Sequence, residues 1–183
     1  MRKITHKTVA GRDLYICDHF VPEPMAAAIG QLLPRLPYRR LEKSRPDTPI
    51  SGGMADIPPP AITGEPFFVE MRKIGEELFP NERFETERVY VNSSVYGDAY
   101  FPHRDCDIHR NNVTVLYYGN LAWETDWGGE TIFYDDAGDA ELAVSPRPNR
   151  AVISRGAILH KGGVPARVCY QERYSIAYKL RTI

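Results

Sequence analysis

The sequence has little cysteine and no surplus of either charge. Its 183 residues include only Cys17, Cys106 and Cys169. These are odd in number, widely spaced and never arranged as C-x-x-C, which excludes a disulfide framework and a structural zinc site built on thiolates. Cys17 and Cys169 stand in apolar contexts, where a free cysteine serves as a small core residue. Lys and Arg number 23 against 24 Asp and Glu, a formal net charge of −1. No basic field exists to hold a nucleic-acid backbone, so that class of partner is excluded on composition. No apolar run approaches the roughly 18 residues of a membrane span. Met1-Arg2-Lys3 leads into Ile4-Thr5-His6-Lys7, too polar for the apolar stretch of a secretory signal, and a cytoplasmic protein is expected. Histidine is also scarce, at five residues, so any metal must be held by few imidazoles together with carboxylates.

What is present is two helical stretches and a long succession of strands, at a length that fits one domain over residues 1–183. Pro22 to Leu36 is rich in Ala and Leu, with prolines near both ends. Pro66 to Leu78 places Phe68, Met71, Ile74 and Leu78 three and four apart, an amphipathic stripe. Between them, segment 44–66 carries six prolines, Gly52-Gly53 and the run Pro58-Pro59-Pro60. Regular structure is not expected there, and the segment reads as a surface loop or as a lid over a site. From Phe84 the texture changes. Residues 88–95 alternate with period two, and 113–118, 129–134, 151–154 and 173–180 are rich in β-branched and aromatic residues between Gly, Pro, Asn and Asp. The fold class expected is mainly β with flanking helices. A helical N-terminal support over 1–83 would pack on one sheet of an antiparallel jelly roll, the double-stranded β-helix, over 84–183.

The sharpest local feature is Tyr100-Phe101-Pro102-His103-Arg104-Asp105. On an extended strand His103 and Asp105 project to one side and could bind one cation from adjacent corners. Two His and one carboxylate on one face of an octahedron is a pattern of non-haem Fe(II) sites. His160, delivered by Ala157-Ile158-Leu159 and followed by Gly162-Gly163, is the candidate third ligand. Asp107 is a possible substitute, and His109 a supporting or surface group. Arg173 and Ser175 open the last strand on a shared face, a fork and a hydroxyl suited to a carboxylate. Arg167 and Arg181 compete for that role.

His103-x-Asp105, His160 and Arg173-x-Ser175, in that order on a late-chain jelly roll, resemble the Fe(II)/2-oxoglutarate-dependent dioxygenase superfamily. Tyr96-Gly97 before Tyr100-x-x-His103-x-Asp105, the stretch Val115 to Tyr134 with its Trp-bearing loop and Gly-Gly-Glu, and His160-Lys161-Gly162-Gly163 are similar to its prolyl 4-hydroxylase-like branch. The likeness covers about residues 88 to 181. It implies that His103, Asp105 and His160 bind Fe(II), and that Arg173 and Ser175 grip the distal carboxylate of 2-oxoglutarate. It also implies co-substrate contacts from Tyr96, Tyr100, Asn92 or Tyr90, and ascorbate as a possible reductant. The activity implied is O2-dependent hydroxylation of an unactivated C–H in a small molecule, amino acid or peptide, with release of succinate and CO2. Relatives that halogenate lack the carboxylate ligand, so Asp105 favours hydroxylation, desaturation or ring closure. A cupin-like metal-binding jelly roll without 2-oxoglutarate chemistry and a non-catalytic binding module remain the alternatives. Trp123 and Trp127 are candidate substrate contacts, and Arg39-Arg40 with Lys43-Ser44-Arg45 could attract an acidic one.

Overall fold

Period-two sequences become strands here and the three-and-four stripe becomes a helix. The computed structural model describes residues 1–183. In chain order it runs β1 (Lys3–Val9), β2 (Arg12–Asp18), α1 (Glu23–Leu32), β3 (Gly53–Asp56), α2 (Pro59–Ile62), α3 (Pro66–Leu78) and β4 (Phe84–Ser94). There follow β5 (Val113–Tyr118), β6 (Thr131–Tyr134), β7 (Ala140–Val144), β8 (Arg150–Arg155), β9 (His160–Lys161) and β10 (Arg173–Thr182). A seven-stranded sheet in the order β1-β2-β8-β5-β10-β4-β3 accompanies a three-stranded sheet β7-β6-β9. All pairings are antiparallel. This is the expected jelly roll.

The large sheet is buried on both faces by different material. On β10, Ile176, Tyr178 and Leu180 join Val89, Val91, Val113, Val115, Tyr117 and Ile153 against the helices. There Phe67, Met71 and Ile74 of α3 fill the core, with the Phe67 ring 4.9 Å from that of Tyr117 and edge-on to it. The alternate residues Arg173, Ser175 and Ala177 face the other way, into a cavity between the two sheets. A smaller apolar cluster of Tyr118, Phe133, Val144, Val152 and Ile158 closes the inter-sheet space beside it.

Three expectations are corrected. Residues 1–83 are not a purely helical support. β1 and β2 form a hairpin that extends the large sheet through β2–β8 pairing, and β3 adds its other edge. The hairpin escapes the sequence because Lys3–Val9 is exposed along nearly its whole length and carries no apolar alternation. Segment 44–66 does contain regular structure. Its prolines leave residues 50–57 free, which lets β3 pair at a sheet edge, and Pro59 and Pro60 open the single turn α2, where a proline costs no hydrogen bond. The His103–Asp105 triplet lies on no continuous strand: it is held by one isolated bridge, His103 to His160, and by the Asp105 amide bonded to the Gly156 carbonyl.

Arg150, 8% exposed, ties β8 to β2 through two hydrogen bonds to Asp18, at 2.6 and 3.1 Å. Those bonds hold the Asp18 carboxyl below its usual value of 3.8. The pair therefore contributes stability above that pH and loses it as pH falls through the lower folded value. Asp18→Asn is expected to destabilise the protein at neutral pH and to flatten the acid limb below about pH 4, as read from urea midpoints against pH. Phe67→Ala, which empties the centre of the helix-side core, is expected to cost about 3–5 kcal/mol in the same denaturation experiment.

Candidate metal centre

Paired backbone contacts bring the ligand types together. The His103 amide donates to the His160 carbonyl and the His160 amide to the His103 carbonyl, both at 2.9 Å, while the Asp105 amide donates to the Gly156 carbonyl at 2.8 Å. This sets the two imidazoles side by side, with ring centroids 4.6 Å apart. Each Nδ1 lies against a carbonyl two residues earlier: Phe101 at 3.0 Å for His103 and Ile158 at 2.9 Å for His160. Each ring thus donates through Nδ1 and presents an Nε2 lone pair, the arrangement that orients a metal-ligating histidine. Both Nε2 atoms converge on Asp105, at 3.5 Å from Oδ1 and 3.8 Å from Oδ2. All three ligand atoms lie within 4.8 Å of one another. Donors about 2.1 Å from an ion and at right angles stand about 3 Å apart, so little adjustment is needed.

The electrostatics prepare the same chemistry. Burial pushes the Asp105 carboxyl up, but Lys179, His160 and His103 outweigh it and hold the group well below its ordinary value of 3.8. Burial pushes the His160 imidazole down from 6.5 against the pull of Asp105. At neutral pH the pair is an ionised carboxylate and a neutral imidazole, the protonation states a metal requires. Thr114 donates to Asp105 Oδ2 at 2.5 Å and Lys179 to Oδ1 at 2.6 Å, so both oxygens are steered.

At the other end of the cavity stands Arg173, 3% exposed. Its Nε donates to the Gly129 carbonyl at 2.8 Å, and its terminal nitrogens reach Ser175 at 3.3 Å and Thr131 at 3.2 Å. None of these partners is a carboxylate. Burial holds this guanidinium below its usual pKa. The Gly-Gly turn makes the fit possible: Gly129 has φ +80°, and a Cβ there would sit 3.0 Å from Arg173 Cδ and 3.2 Å from the Trp123 ring. Arg167, the competitor, is exposed in the turn before β10, and Arg181 pairs with Glu85 on the surface.

A family model described as the 2OG-Fe(II) oxygenase superfamily matches residues 91–180. The match assigns residues 91–180 to this superfamily. A sequence search of curated proteins finds no match. The fold is similar to a Pseudomonas putida prolyl-4-hydroxylase, with TM-score 0.67 and 20% identity over 92% of this chain and 91% of that one. It is similar also to a Trichoplax adhaerens prolyl hydroxylase solved with a hypoxia inducible factor oxygen degradation domain peptide fragment, with TM-score 0.66 and 17% identity over 92% and 83%. The viral collagen prolyl hydroxylase of Paramecium Bursaria Chlorella virus-1 gives TM-score 0.64 and 16% identity over 97% and 95%.

Oxygenases of this superfamily use Fe(II) and 2-oxoglutarate, and the cavity fits both. A buried guanidinium without an anion asks for a carboxylate. Three buried polar atoms, Asn92 Oδ1, Ser94 Oγ and Tyr100 Oη, have no hydrogen-bond partner, and Asn92 and Tyr100 line the same cavity as the triad and Arg173. Burial pushes the Tyr100 phenol up to about 12, so it stays a donor. Tyr90 also lines the cavity. Tyr96 does not: it stands 60% exposed in the turn after β4, where the chain leaves the sheet, and the expected co-substrate contact is corrected. Asp107 and His109 are exposed, the first capping the turn through the His109 amide. Trp123 and Trp127 pack edge-to-face on each other, outside the cavity lining. Arg40 pairs with Asp98, and Ser44 and Arg45 bond the backbone of Phe101 and Pro102, just before His103. The Pro-rich segment is therefore tied to the site.

Thr114, Tyr118, Thr131 and Lys179 were not foreseen. The Tyr118 hydroxyl donates to Thr131 at 2.8 Å beneath the Arg173 guanidinium. Lys179 alone had a signal, because continuing the period from Arg173 and Ser175 reaches it. A groove of about 490 Å³ lies on the helix side of the sheet among Ile57, Pro58, Phe68 and Tyr178, away from the triad. Titration with Mn(II), which suits the same donor set, is expected to reveal one site that His103→Ala and His160→Ala each remove while circular dichroism stays unchanged.

Proposed function

We propose that the chain, acting as one oxygenase domain, hydroxylates a C–H of a small-molecule, amino-acid or peptide substrate. His103, Asp105 and His160 hold Fe(II). Arg173 and Ser175 receive the distal carboxylate of 2-oxoglutarate, with Tyr118 and Thr131 bracing the guanidinium and Tyr100, Asn92 and Tyr90 completing the cavity wall. The observation that carries this reading is the buried, anion-free Arg173 in the same cavity as the His-Asp-His cluster, a pairing that a metal-binding cupin or a binding module does not need. When bound, the iron and its co-substrate supply the oxidising chemistry, consuming O2 and releasing succinate and CO2.

The residues of the chain position and enclose. The Nδ1 bonds to Phe101 and Ile158 keep both imidazoles aimed inward. Thr114 and Lys179 hold the Asp105 carboxylate in one orientation. Phe133, whose ring stacks on His160 at 5.7 Å, and Leu116 make the wall apolar and keep bulk water from the reacting centre. The peptide in the Trichoplax complex supports a peptide as one substrate class for this fold. No helix is long and apolar enough to cross a membrane. Three free cysteines suit the reducing cytoplasm, and ascorbate would serve as reductant there.

Anaerobic addition of Fe(II) and 2-oxoglutarate is expected to produce a visible charge-transfer band in the wild type, lost in His103→Ala and weakened at least about tenfold in co-substrate affinity in Arg173→Met. Succinate release should require added iron and stop with EDTA. A band that survives both substitutions, or turnover without iron, overturns the assignment.

A further inference from the structure

His103 and Asp105 lie on no continuous strand, so the ladder that fixes Arg173 and Ser175 on β10 does not fix them. The peptide units leading to His103 are held one at a time instead. The Phe101 amide donates to Ser44 Oγ at 3.0 Å. The Phe101 carbonyl accepts from His103 Nδ1, also at 3.0 Å. The Pro102 carbonyl accepts from Arg45 Nη1, and the amide of that same peptide unit, on His103, donates to the His160 carbonyl at 2.9 Å. Ser44 and Arg45 therefore reach across 57 positions of sequence to do what a neighbouring strand would otherwise do.

These two side chains are themselves fixed. Residues 42–51 form a small hairpin in which Lys43 bridges Ile50 and the Ser51 amide donates to the Glu42 carbonyl at 2.9 Å. Its tip is the turn Arg45-Pro46-Asp47-Thr48, closed by the Thr48 amide on the Arg45 carbonyl at 3.1 Å, with proline at the position whose φ it pre-sets. Asp47 takes the Arg45 guanidinium on both carboxylate oxygens, at 3.0 and 3.2 Å, and leaves Nη1 free for Pro102. Ser44 Oγ lies 3.1 Å from the hydroxyl of Ser51, which is 2% exposed. Where the hairpin rejoins the sheet, a Cβ on Gly52 would stand 2.5 Å from Tyr100 Oη and 2.8 Å from the Ser93 carbonyl, so this backbone is seated directly against the segment that carries the ligand.

The need for such a brace follows from where each histidine finds its acceptor. A metal-ligating imidazole is aimed by the group its other nitrogen donates to. For His160 that group is the Ile158 carbonyl, and Ile158 is wholly buried in the inter-sheet apolar cluster. For His103 it is the Phe101 carbonyl, and Phe101 is half-buried and outside every strand. Packing sets the first acceptor, and the polar contacts of the hairpin set the second. We propose that Ser44 and Arg45 are positioning residues for the metal centre, which fix the Phe101 carbonyl and through it the direction of His103 Nε2. This inference rests on the assignment of His103, Asp105 and His160 as metal ligands given above.

The test uses the full chain, metal-free and then titrated with Mn(II) alone. Ser44→Ala and Arg45→Met are each expected to weaken Mn(II) binding about tenfold. Ser44→Thr, which keeps the hydroxyl, should stay within about threefold of wild type. Arg40→Gln cuts the nearby ion pair with Asp98 but reaches neither Phe101 nor Pro102, and should leave the affinity unchanged. In the metal-free protein, in mildly alkaline solution where imidazole is neutral, nitrogen-resolved spectra of labelled histidine should show His103 protonated at Nδ1. That tautomer is expected to become mixed in Ser44→Ala and Arg45→Met, while His160 keeps its own. Unchanged affinity in either variant overturns the proposal, as does a His160 spectrum that changes as much as that of His103, the mark of a site loosened as a whole. A wild type that binds no Mn(II) overturns the metal-centre assignment, and this inference falls with it.

Discussion

Period-two alternation along β10 is the constraint on which the structure turns. The strand is central in the large sheet, paired with β4 on one side and β5 on the other. Its even-numbered residues Ile176, Tyr178 and Leu180 lock into the helix-side core. Any slip of one residue would drive Arg173 into that core and turn Ile176 toward the cavity, so burial of the apolar face enforces the register of the polar one. The hydrophobic effect thereby aims the guanidinium, although nothing apolar touches its charged end.

A similar economy governs the metal-ligating groups. The mutual backbone bridge between His103 and His160 of β9 is what sets the two imidazoles side by side. Asp105 is held from both oxygens, and its charge is maintained in a buried setting because Lys179 lies against it. Two buried cations and one buried anion would be an unfavourable set in a protein that bound nothing. The imbalance is intelligible as a receptor for charge brought in by ligands, and the unpartnered oxygens of Asn92 and Tyr100 belong to the same account.

Much of this was legible in the residues. The helix Pro66–Leu78 has the bounds its stripe indicated, and Val113–Tyr118 likewise. His103, Asp105, His160, Arg173, Ser175, Tyr100, Asn92 and Tyr90 all come to one cavity. The hairpin Lys3–Val9 with Arg12–Asp18 was not legible, because an exposed edge strand has no buried face to write into the sequence. Tyr96 was misplaced because a tyrosine in a turn and a tyrosine on a strand carry the same local signal. Lys179 was overlooked although it shares the parity of Arg173, since a lysine near the end of a strand ordinarily reaches solvent.

Local chemistry determined the element types, the inward parity of each strand and the kind of ligand each side chain offers, because these depend on neighbours a few residues away. Which of Arg167, Arg173 and Arg181 is buried without an anion, and that Lys179 meets Asp105 across 74 positions of sequence, were decided only by the tertiary structure. Burial and long-range pairing depend on how two sheets close over one another, and that closure leaves no trace in the short-range pattern of the chain.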